Sequence, residues 1–442
     1  MSIQNKAEQI MNLVRTAGAA GDLIVDEGQS LSLKAREGEL EEYKVSSSQV
    51  FGLRVIKDGR VGTAYSEASD VDALSSMVEQ ALVNATFAAA DRHEKILANT
   101  GSLKTDDALL HPEDATEIEE KIELALNMER GLSKKDRVKN VPYNGVQDNS
   151  GERRVFTSAG LSAHSRVRQC ACYAYALVED GEKNAMEGAG QSGRLFADLN
   201  GDELIEKVHK NCLDILDGVP VPSKHYDIIF NDESQNAVFG VFAFMFGGKS
   251  AKDGVNPMRD KVGEVIADSR LTIYDNPLLV DGFGYTLFDA EGTATGKTSL
   301  IIEGKLESLI HNSATASFFG VETTGHGSRG PKSTLGVSLH QMEIMAGEDN
   351  AEGLLSGKYL ELTDLTGLHS GANPISGDFS FGASGFLCRD GERVQPVRGV
   401  TVAGNFYEML KKISKIGDTQ RWDWEKGTLS PSIRFADVAI SG

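Results

Sequence analysis

TDLTGLHSGANPISGDFSFGASGFLCRDGERVQPVRGVTVAG, residues 363–404, is the stretch on which the reading of this chain turns. It is the densest run of glycine and short polar residues, and apolar segments flank it. Asp390-Gly391 stands between the apolar segments 386–388 and 394–402, a tight-turn pair that predicts a β-hairpin. Gly377, Gly382 and Gly385 interrupt the strand-like run 375–386. A glycine inside a strand marks a bulge or a place where another backbone comes close. Residues 377–385 are also a candidate sheet edge, with Ser380 and Ser384 as adaptable polar side chains beside Gly382.

Outward from that hairpin, residues 223–442 read as strand-rich and turn-rich with two helices. One, 233–246, is apolar on most sides and is expected to be buried; the other, 405–416, is amphipathic. Strands 285–288 and 299–302 flank a loop at 289–298, and Glu303-Gly304 turns into 305–310. Upstream, residues 1–92 alternate as helix, strands, an Asp58-Gly59 hairpin, and a helix capped by Asp70. Residues 93–113 are polar and read as a linker. Residues 113–222 form a second unit, with helices at 114–132 and 202–217 around the strands of 138–178. The expected fold class is α+β: N-terminal α/β units (1–92 and 113–222) followed by a large β-rich C-terminal domain (223–442).

The chain has 442 residues, 40% hydrophobic and 25% charged, which is the composition of a globular protein with more than one core. Its formal net charge of −20 speaks against a nucleic-acid surface and a polybasic membrane patch. No apolar run approaches a membrane span, and the amphipathic first helix lacks the apolar core of a signal peptide. Cys170, Cys172, Cys212 and Cys388 are few and scattered, without zinc-ribbon or redox spacing. Cys170 and Cys172 read as small packing residues sharing one strand face, and a cytoplasmic location is expected.

Motif by motif, the chemistry thins out. His93-Glu94 is followed by Leu97 and Ala98 where a second metal-binding histidine of HExxH or HExxxH would fall. Thr295-Gly296-Lys297-Thr298 ends like a phosphate loop, but Glu291 replaces the first glycine and would repel phosphate. Gly325-His326-Gly327-Ser328-Arg329-Gly330 matches GxGxxG without a βαβ unit after it. Its functional reading is a loop in which His326 or Arg329 meets a carboxylate of a substrate. Gly382-Ala383-Ser384-Gly385 falls one residue short of a nucleophile elbow, because Phe386 stands where the last glycine belongs.

Four blocks in order carry a resemblance. Residues 375–405, 288–310 (FDAEGTATGKTSLIIEGKLESLI), 323–328 (TTGHGS) and 51–82 are similar to the corresponding blocks of the TldD/PmbA family. That resemblance implies a three-part architecture and a protease assembled from two related subunits. TldD-type members of this family carry a zinc-binding HExxxH on a helix and a cysteine ligand near the C-terminus. The segment similar to that helix, 231–247, has Glu233 and no histidine, and residues 427–442 have no cysteine. The resemblance therefore implies a PmbA-like (TldE-like) chain without its own catalytic residues or metal. Zinc is expected in a TldD-type partner of a heterodimer, and an unfolded peptide is the substrate class. His326 joins Ser380, Gly382 and Ser384 as expected peptide contacts. A homodimeric binding or scaffold protein of the same fold is the alternative, and the sequence allows a serine or cysteine hydrolase as a third reading.

Overall fold

The computed structural model describes residues 1–97 and 103–442; residues 98–102, within the expected linker, lie outside the described residues. The chain opens with α1 (Ile3–Thr16), capped by the Ser2 side chain. Six antiparallel strands follow: β1 (Ala20–Arg36), β2 (Glu39–Lys57), β3 (Arg60–Ser66), β4 (Val138–Thr157), β5 (Ser162–Asp180) and β6 (Lys183–Gly193). They form one sheet in the order β3-β2-β1-β4-β5-β6. β1 pairs with β4 from Asp22↔Thr157 to Leu33↔Val146, so segments 1–92 and 113–222 share a single continuous sheet.

The sheet carries two separate cores on one face. At one end α1 and α2 (Val71–Phe87) cover Leu23, Val25, Phe51, Leu53 and Val55. α3 (Asp107–Leu110) is a single short turn within the linker. At the other end of the sheet α4 (Ile118–Ser133) and α5 (Gly201–Leu216) cover Leu33, Val146, Cys172, Ala174 and Ala176. The strict alternation in β5 puts small residues inward and the larger Tyr173 and Tyr175 on the opposite face. Cys170 and Cys172 are both buried on the helix side, as their spacing implies. α4 begins at Ile118, four residues later than expected, because the Asp114 side chain accepts from Thr116 N–H and Phe196 N–H and holds 114–117 in a turn.

The C-terminal domain starts with β7 (Lys224–Phe230) and α6 (Asp232–Phe242), the latter continued by one 3-10 turn, Ala243–Phe246. The remaining strands are β8 (Ile273–Asp275), β9 (Thr298–Ile302), β10 (Lys305–Leu306), β11 (Gly327–Ser328), β12 (Gly336–Val337), β13 (Met342–Ile344), β14 (Lys358–Thr366), β15 (Asp378–Arg389), β16 (Glu392–Asn405), β17 (Ile413–Trp422) and β18 (Thr428–Ser441). Ten of the domain's strands run β10-β9-β8-β13-β18-β16-β15-β14-β7, with β17 branching from β18. A further pairing of β18 with β7 closes β7, β14, β15, β16 and β18 into a ring. α6 packs against it through Phe239 and Phe242, the latter stacked on Phe406 at 4.4 Å.

The hairpin expected at Asp390-Gly391 is β15–β16, with both turn residues at positive φ (51° and 85°), as a two-residue turn of this hand requires. Three expectations are corrected. β15 is hydrogen-bonded to β14 on one side and β16 on the other, so it is not an edge. The helix at 405–416 spans only Phe406–Leu410; Ile413 and Ile416 are buried on β17, where pairing with β18 outweighs helical spacing. Residues 285–288 form no strand and make one isolated bridge, Phe288↔Ala294.

Candidate functional site

Between the two cores, the long strands turn polar. Glu27, Gln29, Gln49, Glu152 and Arg168 occupy positions that further along each strand hold core residues. A row of small residues, Ser48–Gly28–Gly151, crosses the sheet here by register. An 850 Å³ cavity opens on the helix-bearing face, where Lys121 and Arg168 share Asp148. Arg168 also meets Asp114, whose carboxyl stays ionised down to about pH 2: burial opposes ionisation, but Thr116, Phe196 and Arg168 outweigh it.

A second cleft, of 530 Å³, lies on the opposite face, between the sheet and the C-terminal domain. Its floor is Asp26, Gly28, Gly151 and Arg153, the last two-pronged on Asp26 at 2.8 and 2.7 Å. Its roof is the segment 283–290 with Gly327, Ser328, Ser338 and His340. The roof loops are pinned by Asp289, which accepts from Glu291 and Thr293 N–H and from Gly327 N–H at 2.7 Å. Burial, with Glu291 nearby, pushes the Asp289 carboxyl up to about 7 against those three amides.

At one end of this cleft the glycine-rich loop docks on the N-terminal sheet. Arg329, 1% exposed, donates to the Asp22 carboxylate and to the Gly52 carbonyl. Asp22 also receives Arg54 at 2.6 Å, and Arg54 reaches Glu94 at 3.1 Å and Glu291 at 3.4 Å. Glu291 in turn accepts from Ser313 N–H and its hydroxyl. Burial works against the Asp22 charge, but two guanidinium groups hold its carboxyl below the usual range. Gly52 is required: a Cβ there would overlap the Pro331 backbone. Glu291, which disqualified the phosphate-loop reading, is thus a partner of Arg54, and the loop at 295–298 runs into strand β9.

The carboxylates that His326 and Arg329 meet belong to the chain itself. His326, fully buried, lies 2.8 Å from Asp275 Oδ2 through Nε2 and 2.9 Å from Thr324 Oγ1 through Nδ1. Asp275 Oδ1 accepts from His340 N–H and Gln341 N–H. The His326 and His340 rings lie 4.8 Å apart. Asp275 ends β8 and His340 precedes β13, which pairs with β8, so the convergence is made by sheet register. Neither residue sits in a motif; the one trace in the sequence is a His-Gln pair ahead of the short run Met342-Glu343-Ile344.

Ser380, Gly382 and Ser384 lie on β15, away from His326. Ser380 is exposed and its N–H donates to Gly371. Ser384 is 9% exposed, opposite Asp364, and no histidine is hydrogen-bonded to it among the described residues. Gly385 shows the close approach read from the sequence, since a Cβ would overlap the Glu361 carbonyl. All four cysteines are free and buried, with thiols pushed by burial to about 11 or 12.

The helix α6 offers no imidazole or thiolate. Its inward Gln235 is tied to Ser430, the Pro431 carbonyl and Ile433 N–H, which are neutral partners. A catalytic zinc does not fit these residues.

Family models match almost the whole chain: PmbA/TldA metallopeptidase domain 1 at 21–85, the central domain at 111–214 and the C-terminal domain at 223–442. Metalloprotease PmbA of Escherichia coli O157:H7 is 26% identical over 426 residues, covering 94% of this chain and 91% of that protein. A Thermotoga maritima protein named as a modulator of a DNA gyrase has the same fold, with a TM-score of 0.90, 24% identity and full coverage of both chains. TldE from Thermococcus kodakarensis superposes with a TM-score of 0.85 at 23% identity, covering 99% of this chain and 100% of its own. The three matched domains, in order along one chain, make this protein a member of the PmbA/TldD metallopeptidase family.

Proposed function

We propose that this chain is the PmbA/TldE-type subunit of a TldD-type metalloprotease pair and that its partner supplies the zinc. The observation that carries the proposal is the donor set of α6: where the family resemblance expects the zinc helix, the buried side chain is a satisfied glutamine. Full-length similarity to a metalloprotease PmbA and to a TldE structure supports the reading. The substrate is an unfolded peptide, and the 530 Å³ cleft, lined by strand backbone, paired charges and small hydroxyl residues, suits an extended main chain.

The test is to purify the chain alone and together with a co-expressed TldD-type protein that contains HExxxH. The expected result is a hetero-oligomer on size-exclusion chromatography that cleaves an unfolded peptide, while the zinc-supplemented chain alone cleaves nothing. Peptide cleavage by the isolated chain, or failure of the two proteins to associate, overturns the proposal.

A further inference from the structure

We infer that Asp275, His326 and His340 form a binding site for one divalent transition-metal ion, on elements unconnected with α6. Their ligand atoms all lie within 4.8 Å of one another. Two imidazoles and one carboxylate are a donor set suited to zinc, cobalt, iron(II) or nickel.

Charge is the first argument. Asp275 is wholly buried, and among the described residues its only ion-pair partner is His326. Two backbone N–H groups satisfy Oδ1 but bring no net charge to offset the carboxylate.

Proton placement is the second. Thr324 Oγ1 accepts from His311 N–H at 2.6 Å and donates to the His311 carbonyl at 3.2 Å. With its proton so directed, the hydroxyl accepts from His326 Nδ1–H; turned the other way it donates to Nδ1, and the 2.9 Å contact fits both tautomers. In the first arrangement Nε2 has the lone pair, and Nε2 and Asp275 Oδ2, 2.8 Å apart, hold a cation in common, a proton or a metal ion.

The third is His340. Its Nε2–H donates to the Gly325 carbonyl at 2.8 Å, which leaves Nδ1 with the lone pair. A ligating histidine whose other nitrogen is held by a carbonyl or hydroxyl is the usual outer-shell arrangement of a metal site. The His340 ring is half-buried and lines the cleft, so it provides the entry path. Metal–ligand bonds of about 2.1 Å impose a donor spacing of about 3 to 3.5 Å, so binding an ion requires the donors, now within 4.8 Å of one another, to draw together.

The site goes beyond the proposed subunit role, and its test reads metal binding, not peptide cleavage. The untagged full chain is stripped with a chelator and titrated with Co²⁺, following the visible ligand-field absorption, with metal content measured after gel filtration. One Co²⁺ per chain, displaced by one Zn²⁺, is the expected result. His340→Ala should abolish stoichiometric binding while leaving the circular dichroism unchanged. Thr324→Val should weaken it about 10- to 100-fold through loss of the ring-orienting contact. Zn²⁺ should raise the Tm of the unmodified chain and not that of His340→Ala. Absence of stoichiometric Co²⁺ in the unmodified chain, or equal binding by His340→Ala, overturns the site.

Discussion

Neutralising Asp22 should be among the most damaging single changes in this protein. In Asp22→Asn the shape is kept and the charge is removed. Arg54 retains Glu94 and Glu291, but Asp22 is the only carboxylate paired with Arg329 among the described residues. The Arg329 side chain is 1% exposed, and its Nη1 already lacks a partner. An unpaired charge at such a depth costs about 3–5 kcal/mol. With an m-value of about 3 kcal/mol/M, the urea midpoint should fall by about 1 M or more. Both tryptophans, Trp422 and Trp424, belong to the C-terminal domain, so their fluorescence follows that domain while far-ultraviolet circular dichroism follows the whole chain. Because Arg329 fastens that domain's loop to the N-terminal sheet, the two signals should separate in the variant. The double change Asp22→Asn/Arg329→Met removes both charges and should recover at least half of the loss. Acid dependence has a fixed sign. The Asp22 carboxyl is held low in the fold, so its contribution is complete above the unfolded value of about 3.9 and disappears as pH falls through the folded value. A cost below about 1 kcal/mol, or additive effects in the double variant, would refute the reasoning.

Glu187 on β6 is pushed up to about 7 by burial and by Asp364 on β14, so the folded chain keeps a proton that the unfolded chain loses near pH 4.3. Stability should therefore decline from about pH 4.3 to 7; Glu187→Gln should remove the decline, raising Tm more at pH 8 than at pH 5, and an equal gain at both pH values would contradict the assignment. Gly385→Ala should destabilise by about 3 kcal/mol or prevent folding, because its Cβ meets the rigid Glu361 carbonyl, whereas Gly382→Ala meets the movable Thr366 hydroxyl and should cost less; thermal melts rank the two. Ser384→Ala should leave peptide cleavage by the subunit pair unchanged, and a lost activity would reinstate a serine mechanism. In the native chain none of the four buried thiols should react with a disulfide reagent within minutes, and all should react once it is unfolded in urea.

Local chemistry explains which parts of this fold could be read in advance. Asp58-Gly59 and Asp390-Gly391 announce hairpins because few residue pairs tolerate two successive positive φ values. A cap such as Asp70 marks a helix start by its own side-chain bond. Pairing between distant segments leaves no such trace. Nothing near β1 specifies β4 as its neighbour, β7 and its closing partner β18 stand at opposite ends of the domain's sequence, and the interior position of β15 follows from β14 on its far side.

 The same holds for the candidate site. His326 and Arg329 stand out within a glycine-rich motif, but their partners Asp275 and Asp22 are brought to them by sheet register and domain docking. The helix expected at 405–416 overruns the observed Phe406–Leu410 because Ile413 and Ile416 fit helical spacing and strand burial equally well.

The row Ser48–Gly28–Gly151 has a consequence for the two cavities that meet there. Helices cover the ends of the sheet, but at this row neither face has a hydrophobic layer, and the glycines add no side chains. The 850 Å³ and 530 Å³ spaces are therefore separated by a partition one backbone thick. Strands so thinly clad resist bending only through their ladder of hydrogen bonds and the twist of their neighbours. Whatever fills one chamber at this row therefore meets the same backbone, at Gly28 and Gly151, that lines the other.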